Sequence, residues 1–296
     1  LNTTLRAICF ASITALAGCD DNSGGSSEDN STEDTIRVSK DEFLQAHPEY
    51  KDVNFSSVGK LTHGDFMCSA VLLKGGLIAT ASHCIDKTTP QTEHSFVAYD
   101  SQGQKHEMQV PLHGDAFYEN VHLPTQHYFS SVAVTDTDKF RYGYTETQNF
   151  APDIALIEYH GDIPAAIEPA RVAGPPEGNL REVFALGYSE DVRDKNGPDD
   201  IGLSVSKHAC YSASGYQSYE FHVSSCYTGN GDSGGVYATI HNDSLFVSSI
   251  HHTTSEIDRN TEDFLSRKLE EEGVSHNFQQ AAIGTPLYKL LEPKRK

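Results

Sequence analysis

Three short runs in this chain gather residue types that can carry out nucleophilic chemistry. The first is Thr80-Ala81-Ser82-His83-Cys84, an imidazole beside a cysteine, with Cys68-Ser69-Ala70-Val71-Leu72 upstream. The second is Asp153-Ile154-Ala155-Leu156-Ile157, a carboxylate opening an apolar run. The third is Gly229-Asn230-Gly231-Asp232-Ser233-Gly234-Gly235, a serine set among glycines. A serine hydroxyl is a poor nucleophile at neutral pH. A hydrogen-bonded imidazole with a pKa of about 7 can take its proton and later return it to a leaving amine. A carboxylate can hold that imidazole in the required tautomer. Glycines let the backbone turn sharply, so that the N–H groups of Gly231 and Ser233 can converge on one developing oxyanion. The order is His83, Asp153, Ser233, with spacings of 70 and 80 residues. Such a set predicts acyl transfer through Ser233.

Residues so far apart must be positioned by the fold. From Ile36 onward, short apolar runs alternate with Gly, Pro, Asn and Asp. The runs Ala70–Leu73, Leu77–Ala81, Phe96–Tyr99, Ile154–Tyr159, Val183–Leu186, Val236–Ile240 and Leu245–Ile250 have the length and β-branched content of strands. Lys74-Gly75-Gly76 and His241-Asn242-Asp243 have the chemistry of hairpin turns. Helical periodicity is confined to Glu262–Glu272 and Pro286–Leu291. The expectation is an all-β chain of sandwich or barrel type.

The histidine run resembles the TAAHC motif of trypsin-like serine proteases. The aspartate run is similar to that family's DIAL strand, and the serine run to its GDSGG signature. The resemblance covers roughly Phe55 to Ile250, with an insertion expected between Asp86 and Asn149. It implies two six-stranded antiparallel β-barrels with the active site between them. It also implies His83, Asp153 and Ser233 as catalytic triad, an oxyanion hole at Gly231 and Ser233, and a Cys68–Cys84 disulfide. The four cysteines of the folded region, Cys68, Cys84, Cys210 and Cys226, permit three pairings, of which the proximal one closes the shortest loops. No cofactor or metal is expected. His251-His252 would point to opposite faces of a strand, and no HExxH run is present.

The sequence also departs from the family. Maturation there exposes an Ile-Val-Gly-Gly terminus whose amine pairs with the Asp before the serine. Only Val58-Gly59 comes near that motif ahead of Cys68. A buried Asp232 would need another partner. Arg141, Arg171 and Arg181 are the candidates, with hydration as the alternative. The family cysteine four residues before the nucleophile is replaced by Gly229, and Cys226 lies seven before it. Basic P1 specificity would place an Asp six residues before the nucleophile, where this chain has Tyr227. Thr228 and the run Ser249-Ile250-His251 resemble the substrate pocket of bacterial glutamyl endopeptidases. A hydroxyl and an imidazole there could bind an acidic P1 side chain. A net charge of −20 works against that preference. Tyr227, Thr228 and His251 are the candidate substrate-binding residues, and P1 remains open.

The ends of the chain speak to location. Residues 1–18 read as a signal peptide, with Arg6 before an apolar stretch from Ala7 to Ala17. Leu16-Ala17-Gly18-Cys19 resembles a bacterial lipobox, which implies cleavage before Cys19 and its acylation. Residues 19–35 then form an acidic tether, and 20–35 hold six acidic and no basic residues. Such a segment cannot bury enough surface to fold. Its 16 residues span about 20–24 Å as a coil. The protease domain is expected over 36–296, with its barrels at about 36–155 and 156–296. Residues 36–57 could be a pro-segment or part of the first barrel, and 253–280 read as an insertion. The expected partners are a protein or peptide substrate and a membrane reached through Cys19, in an exported, envelope-held protein. Nucleic acid is excluded by the charge, 42 acidic against 22 basic residues.

Two other classes compete. Gly231-Asp232-Ser233-Gly234-Gly235 also satisfies the G-x-S-x-G elbow of α/β-hydrolases, with Asp258 and His276 as downstream partners. That reading requires a strand before the serine and a helix after it. The non-enzyme rival is a binding or adhesion module on a protease scaffold.

Overall fold

The computed structural model describes residues 37–63, 66–85, 94–110, 112, 120–122, 153–174, 178, 180–189, 192, 202–216, 221–229, 231–253, 259–275 and 281–291. All lie in one compact unit. The expected signal peptide, Cys19 and the tether fall outside the described residues. So do Arg141, Asp258 and His276.

Sixteen strands are present among the described residues. The first eight are β1 (Arg37–Ser39), β2 (Val58–His63), β3 (Phe66–Leu73), β4 (Leu77–Thr80), β5 (His94–Tyr99), β6 (Lys105–Val110), β7 (Val121–His122) and β8 (Ala155–Glu158). The others are β9 (Arg171–Val172), β10 (Leu180–Gly187), β11 (Ser204–Ser206), β12 (Cys210–Tyr216), β13 (Phe221–Ser224), β14 (Val236–His241), β15 (Ser244–Thr253) and β16 (Ala282–Pro286). Helices are few: α1 (Lys40–Ala46), α2 (Arg259–Glu271) and α3 (Leu287–Leu291). Each of the seven runs expected as strands overlaps one, and both expected helical stretches overlap helices, with ends differing by a residue or more in several cases. Asn242 and Asp243 both take positive φ, 47° and 56°, the mark of a two-residue turn joining β14 to β15.

Strands β10, β12, β13, β16, β15 and β14 pair in that order, and β14 returns to β10 through Phe184↔Ala238, Ala185↔Tyr237 and Leu186↔Val236. The result is a closed six-stranded antiparallel barrel, which leaves those strands no open edge. The other sheet runs β6-β5-β2-β3-β4-β8-β7. It has seven strands rather than the expected six, and among the described residues no pairing joins β6 to β7. The architecture is that of a chymotrypsin-like fold. The division expected at 155/156 falls inside β8, a strand of the first sheet. Strand β1 lies on β11, in the second sheet, with Arg37↔Ser206 and Ser39↔Ser204 as partners. Residues 37–57 are thus packed against the second sheet and the shared core, and the strand among them belongs to the second sheet, not the first.

Strand alternation explains the continuous apolar runs. On β3, Ala70 and Leu72 join a core with Leu61, Ile78, Phe96 and Ile157. Val71 and Leu73 face the other way, into a second core with Ile154, Leu156, Phe184, Val236 and Ile250. Side chains alternate with a period of two, so a strand buried on both faces has no polar face to show. The second core contains residues from both sheets and joins them. Phe43 of α1 is fully buried in it, with its ring 5.2 Å from Phe184 and 5.8 Å from Tyr50. Helix α1 is fixed at its start by a capping box between Ser39 and Glu42. The expected insertion contributes α2, whose Phe264, Leu265 and Leu269 cover Ala213, Phe221 and Val223 of the second sheet. Among the described residues no helix is long and apolar enough to cross a membrane.

Candidate active site

Register brings His83 and Asp153 together. Strand β4 pairs with β8 through Thr80↔Ala155, so the end of one strand meets the start of the other. His83 follows β4 in a single 3-10 turn, Ser82–Cys84, and Asp153 stands two residues before β8. The Asp153 carboxylate is buried and gripped on both oxygens. Its Oδ2 pairs with His83 Nδ1. Its Oδ1 accepts the His83 backbone N–H at 2.9 Å and the Ser82 hydroxyl. With Nδ1 donating to the carboxylate, the neutral imidazole has its acceptor lone pair on Nε2. The hydrogen bond that His83 donates to Asp153 holds the His83 pKa above its ordinary 6.5, against burial, which lowers it; the carboxylate charge adds to the rise.

The serine loop between β13 and β14 is tied to the first sheet by one residue. Ser69 of β3 donates its backbone N–H to Ser233 O at 2.8 Å and its hydroxyl to Gly231 O at 2.9 Å. The same hydroxyl oxygen accepts the Tyr188 N–H at 2.8 Å. On the far side, Gly234 N donates to His251 O at 3.1 Å, and His251 N donates to Gly235 O at 2.7 Å. Cys84, next to His83, has its sulfur 3.8 Å from Ser233 O. Ser233 thus stands beside the histidine turn. Gly234 has φ 79°, and a Cβ there would collide with Ser69 O and Thr80 Oγ1. Only glycine fits this contact.

The two disulfides are Cys68–Cys84 and Cys210–Cys226, with Cα atoms 6.0 and 5.2 Å apart. The first clamps the histidine turn to β3. Cys68, Cys84 and His83 bring possible metal-ligand atoms close together. The two sulfurs are bonded to each other, and His83 Nδ1 is held by Asp153, so this group offers no thiolate for an ion.

Asp232 finds a partner other than those expected. Its carboxylate is buried, and Oδ1 accepts from Arg37 Nη2 at 2.8 Å. Arg171 instead lies over the Phe246 ring, and Arg181 donates to Gly174 O. At 1% exposure Asp232 is shielded from bulk solvent, and the Arg37 ion pair compensates its charge. No local pattern could have singled out Arg37, which reaches the loop only because β1 crosses to the second sheet. Ser69 and Ser82 were also missed. Ser82 did carry a signal, because it replaces the second alanine of the TAAHC pattern.

Of the candidate substrate residues, Thr228 and His251 are buried and Tyr227 is partly so. His251 Nδ1 lies 2.8 Å from the Tyr237 hydroxyl. Burial and the nearby Asp232 charge push the Tyr237 pKa well above its ordinary value, with Arg37 opposing. Tyr237 therefore stays protonated, and its hydroxyl shares one hydrogen bond with His251 Nδ1. The residues after Ser233 enter β14, not a helix, so the α/β-hydrolase elbow does not fit.

Two β-sheets that set a carboxylate-held histidine beside a glycine-bounded serine define a chymotrypsin-type serine hydrolase. The sequence matches the trypsin family over residues 45–261, most of the chain, and the chain belongs to that family. It is a serine protease. No individual curated protein matches it. Similar solved structures include neuropsin, a serine protease expressed in the limbic system of mouse brain, at 14% identity and TM-score 0.47. That match covers 80% of this chain and 91% of neuropsin. Another is the protease Anisep from Arthrobacter nicotinovorans, at 13% identity and TM-score 0.44, over 79% and 91% of the two chains. The two disulfides fit an exported protein, since such bonds persist in oxidising compartments.

The His83–Asp153 contact makes a direct spectroscopic prediction. In wild type, the His83 ring should titrate above the ordinary histidine value. Asp153→Asn removes the cause of that rise, so the titration should move down. NMR of the ring protons against pH checks this, and an unchanged midpoint would contradict the assigned contact.

Proposed function

We propose that this protein is an endopeptidase in which Ser233 attacks the scissile carbonyl, His83 relays the proton and Asp153 orients His83. The observation that carries this reading is the Asp153 carboxylate holding His83 Nδ1, which leaves Nε2 as the proton acceptor. The backbone N–H groups of Gly231 and Ser233 would receive the oxyanion, each contributing about 2.7–4 kcal/mol to the transition state. Peptide hydrolysis then passes through an acyl-enzyme on Ser233. The first half-reaction releases the amine, protonated by His83, and water attacks the ester in the second. A noncatalytic binding module would have no need for this orienting contact.

For P1, we favour an acidic side chain. An imidazole can donate to a carboxylate, and the buried His251 is held through Nδ1 by the Tyr237 hydroxyl and through its backbone by the serine loop at Gly234 and Gly235. Thr228, buried and five residues before Ser233, supplies a hydroxyl to the same loop region. For location, we propose the reading drawn from the sequence: signal peptide 1–18, an acylated Cys19, and a tether that holds the protease domain off a bacterial envelope membrane. Stable anchoring of this kind takes more than one acyl chain, since a single chain binds only reversibly.

Ser233→Ala should abolish labelling by a fluorophosphonate probe and lower kcat on a general protein substrate by about 10⁶-fold; a mutant that still labels would refute the nucleophile. A peptide library scanned at P1 should show cleavage after Glu or Asp, and its absence there would end the acidic preference. Mass spectrometry of protein purified from membranes should find an acylated Cys19 at the amino terminus. An unmodified Cys19 in the mature chain would remove the anchor.

A further inference from the structure

Arg37 opens strand β1, and its side chain ends beside the serine loop. Its Nη2 donates to Asp232 Oδ1 at 2.8 Å, and both side chains are 2% exposed. The same nitrogen reaches Ser204 Oγ at 2.7 Å and Ser204 O at 3.2 Å. Ser204 Oγ donates in turn to Gly187 O at 2.8 Å. Gly187 leaves the room for this pair. A Cβ there would stand 2.7 Å from Asp232 Oδ1 and 3.5 Å from Arg37 Nη2.

Asp232 passes the constraint into the loop. Its Oδ2 accepts the Gly229 N–H at 2.9 Å, and its own N–H donates to Gly229 O at 3.2 Å. Its carbonyl accepts the Gly235 N–H at 2.6 Å. The residue next to Ser233 is thereby bonded to both ends of the loop. A buried carboxylate keeps such a position only while its charge is compensated. Without the guanidinium, Asp232 would move toward water and take Gly229 and Ser233 with it.

The strand that carries Arg37 is built in. Strand β1 pairs with β11 over three residues, and Lys40 N donates to Leu203 O at 3.0 Å. Helix α1 follows directly and buries Phe43 between the two sheets.

We propose that Arg37 is the positioning residue of the serine loop: its internal guanidinium fixes Asp232, so the protease is competent without a newly exposed amino terminus. This rests on the reading of Ser233 as nucleophile. The chemistry of the cation then sets the response to pH. An α-amine in that place loses its charge near its ordinary pKa of about 8 unless its partner holds it, whereas a guanidinium stays charged throughout. Among the described residues, Asp232 on the loop pairs with the guanidinium and Tyr237 on β14 feels its charge, and His251 of β15 is bonded to the Tyr237 hydroxyl. Tyr237, held well above its ordinary value, stays neutral into alkaline solution.

The test compares wild type, Arg37→Lys, Arg37→Met and Ser233→Ala as full chains. Hydrolysis of a peptide that wild type cleaves and fluorophosphonate labelling are followed from pH 7 to 11, with circular dichroism reporting the fold. Wild type should hold its plateau to the alkaline end. Arg37→Met should lose about 10²-fold or more in kcat/KM at pH 7.5, the scale of losing an oxyanion donor. Arg37→Lys should recover part of that loss at pH 7.5. It should then fall as pH rises through the pKa of its lysine, ordinarily about 10.4. A merely structural role would not produce that new alkaline limb. Arg37→Met at wild-type activity, or Arg37→Lys with no alkaline fall, overturns the proposal. If Arg37→Met does not fold, the Arg37→Lys profile decides. If neither folds, the wild-type profile decides, and an alkaline fall between pH 8 and 10 overturns the proposal. Persisting activity in Ser233→Ala would instead overturn the nucleophile, a result distinct from any in the Arg37 series.

Discussion

Two hydrogen bonds from Ser69 hold this site together. Its N–H and its hydroxyl take the carbonyls of Ser233 and Gly231, and so fix a loop of the second sheet to a strand of the first. The shared core joins the two sheets through side chains, and that tie adds a direct backbone link between the histidine side and the serine loop. A small rotation between them would separate an acid–base pair from its nucleophile, since such chemistry tolerates misplacement of only about an ångström. Cys68, the neighbour of Ser69, is bonded to Cys84, the neighbour of His83. The strand that holds the serine loop thus also holds the histidine turn.

Electrostatics settles the remaining freedom. The site contains two buried carboxylates that face different demands. Asp153 is saturated by the His83 imidazole, the His83 N–H and the Ser82 hydroxyl, and its charge raises the basicity of the ring. Asp232 has no proton to manage. It is neutralised by Arg37 and linked to Gly229, so its charge stabilises a backbone conformation. One carboxylate tunes a titration and the other fixes a shape. Asp232 lies in sequence beside Ser233, whereas Asp153 reaches His83 across 70 residues.

Much of this architecture could be read before any coordinates. The runs Ala70–Leu73, Ile154–Tyr159 and Val236–Ile240 have strand length and β-branching because they line cores, and burial is written into composition. The proximal cysteine pairs, the hairpin at Asn242-Asp243 and the helix near Glu262–Glu272 are local features with local causes. The partner of Asp232 was not legible. Arg171 and Arg181 were equally reasonable by charge, and nothing within 195 residues of sequence distance marks Arg37. The seventh strand of the first sheet was equally hidden, because Val121–His122 is too short to show a period.

The sequence alone determined which groups are available: an imidazole, a carboxylate, a serine among glycines, and cysteines spaced for short loops. These depend on residue type and near neighbours, which a linear pattern records. Only the tertiary structure decided which distant groups meet. Strand β1 crosses to the second sheet and delivers a cation to Asp232, and the pairing of β4 with β8 brings Asp153 to His83. Such contacts follow from sheet register and core packing, which sum over the whole chain; the motifs mark His83 and Asp153 as partners, but nothing at Arg37 marks it as the partner of Asp232.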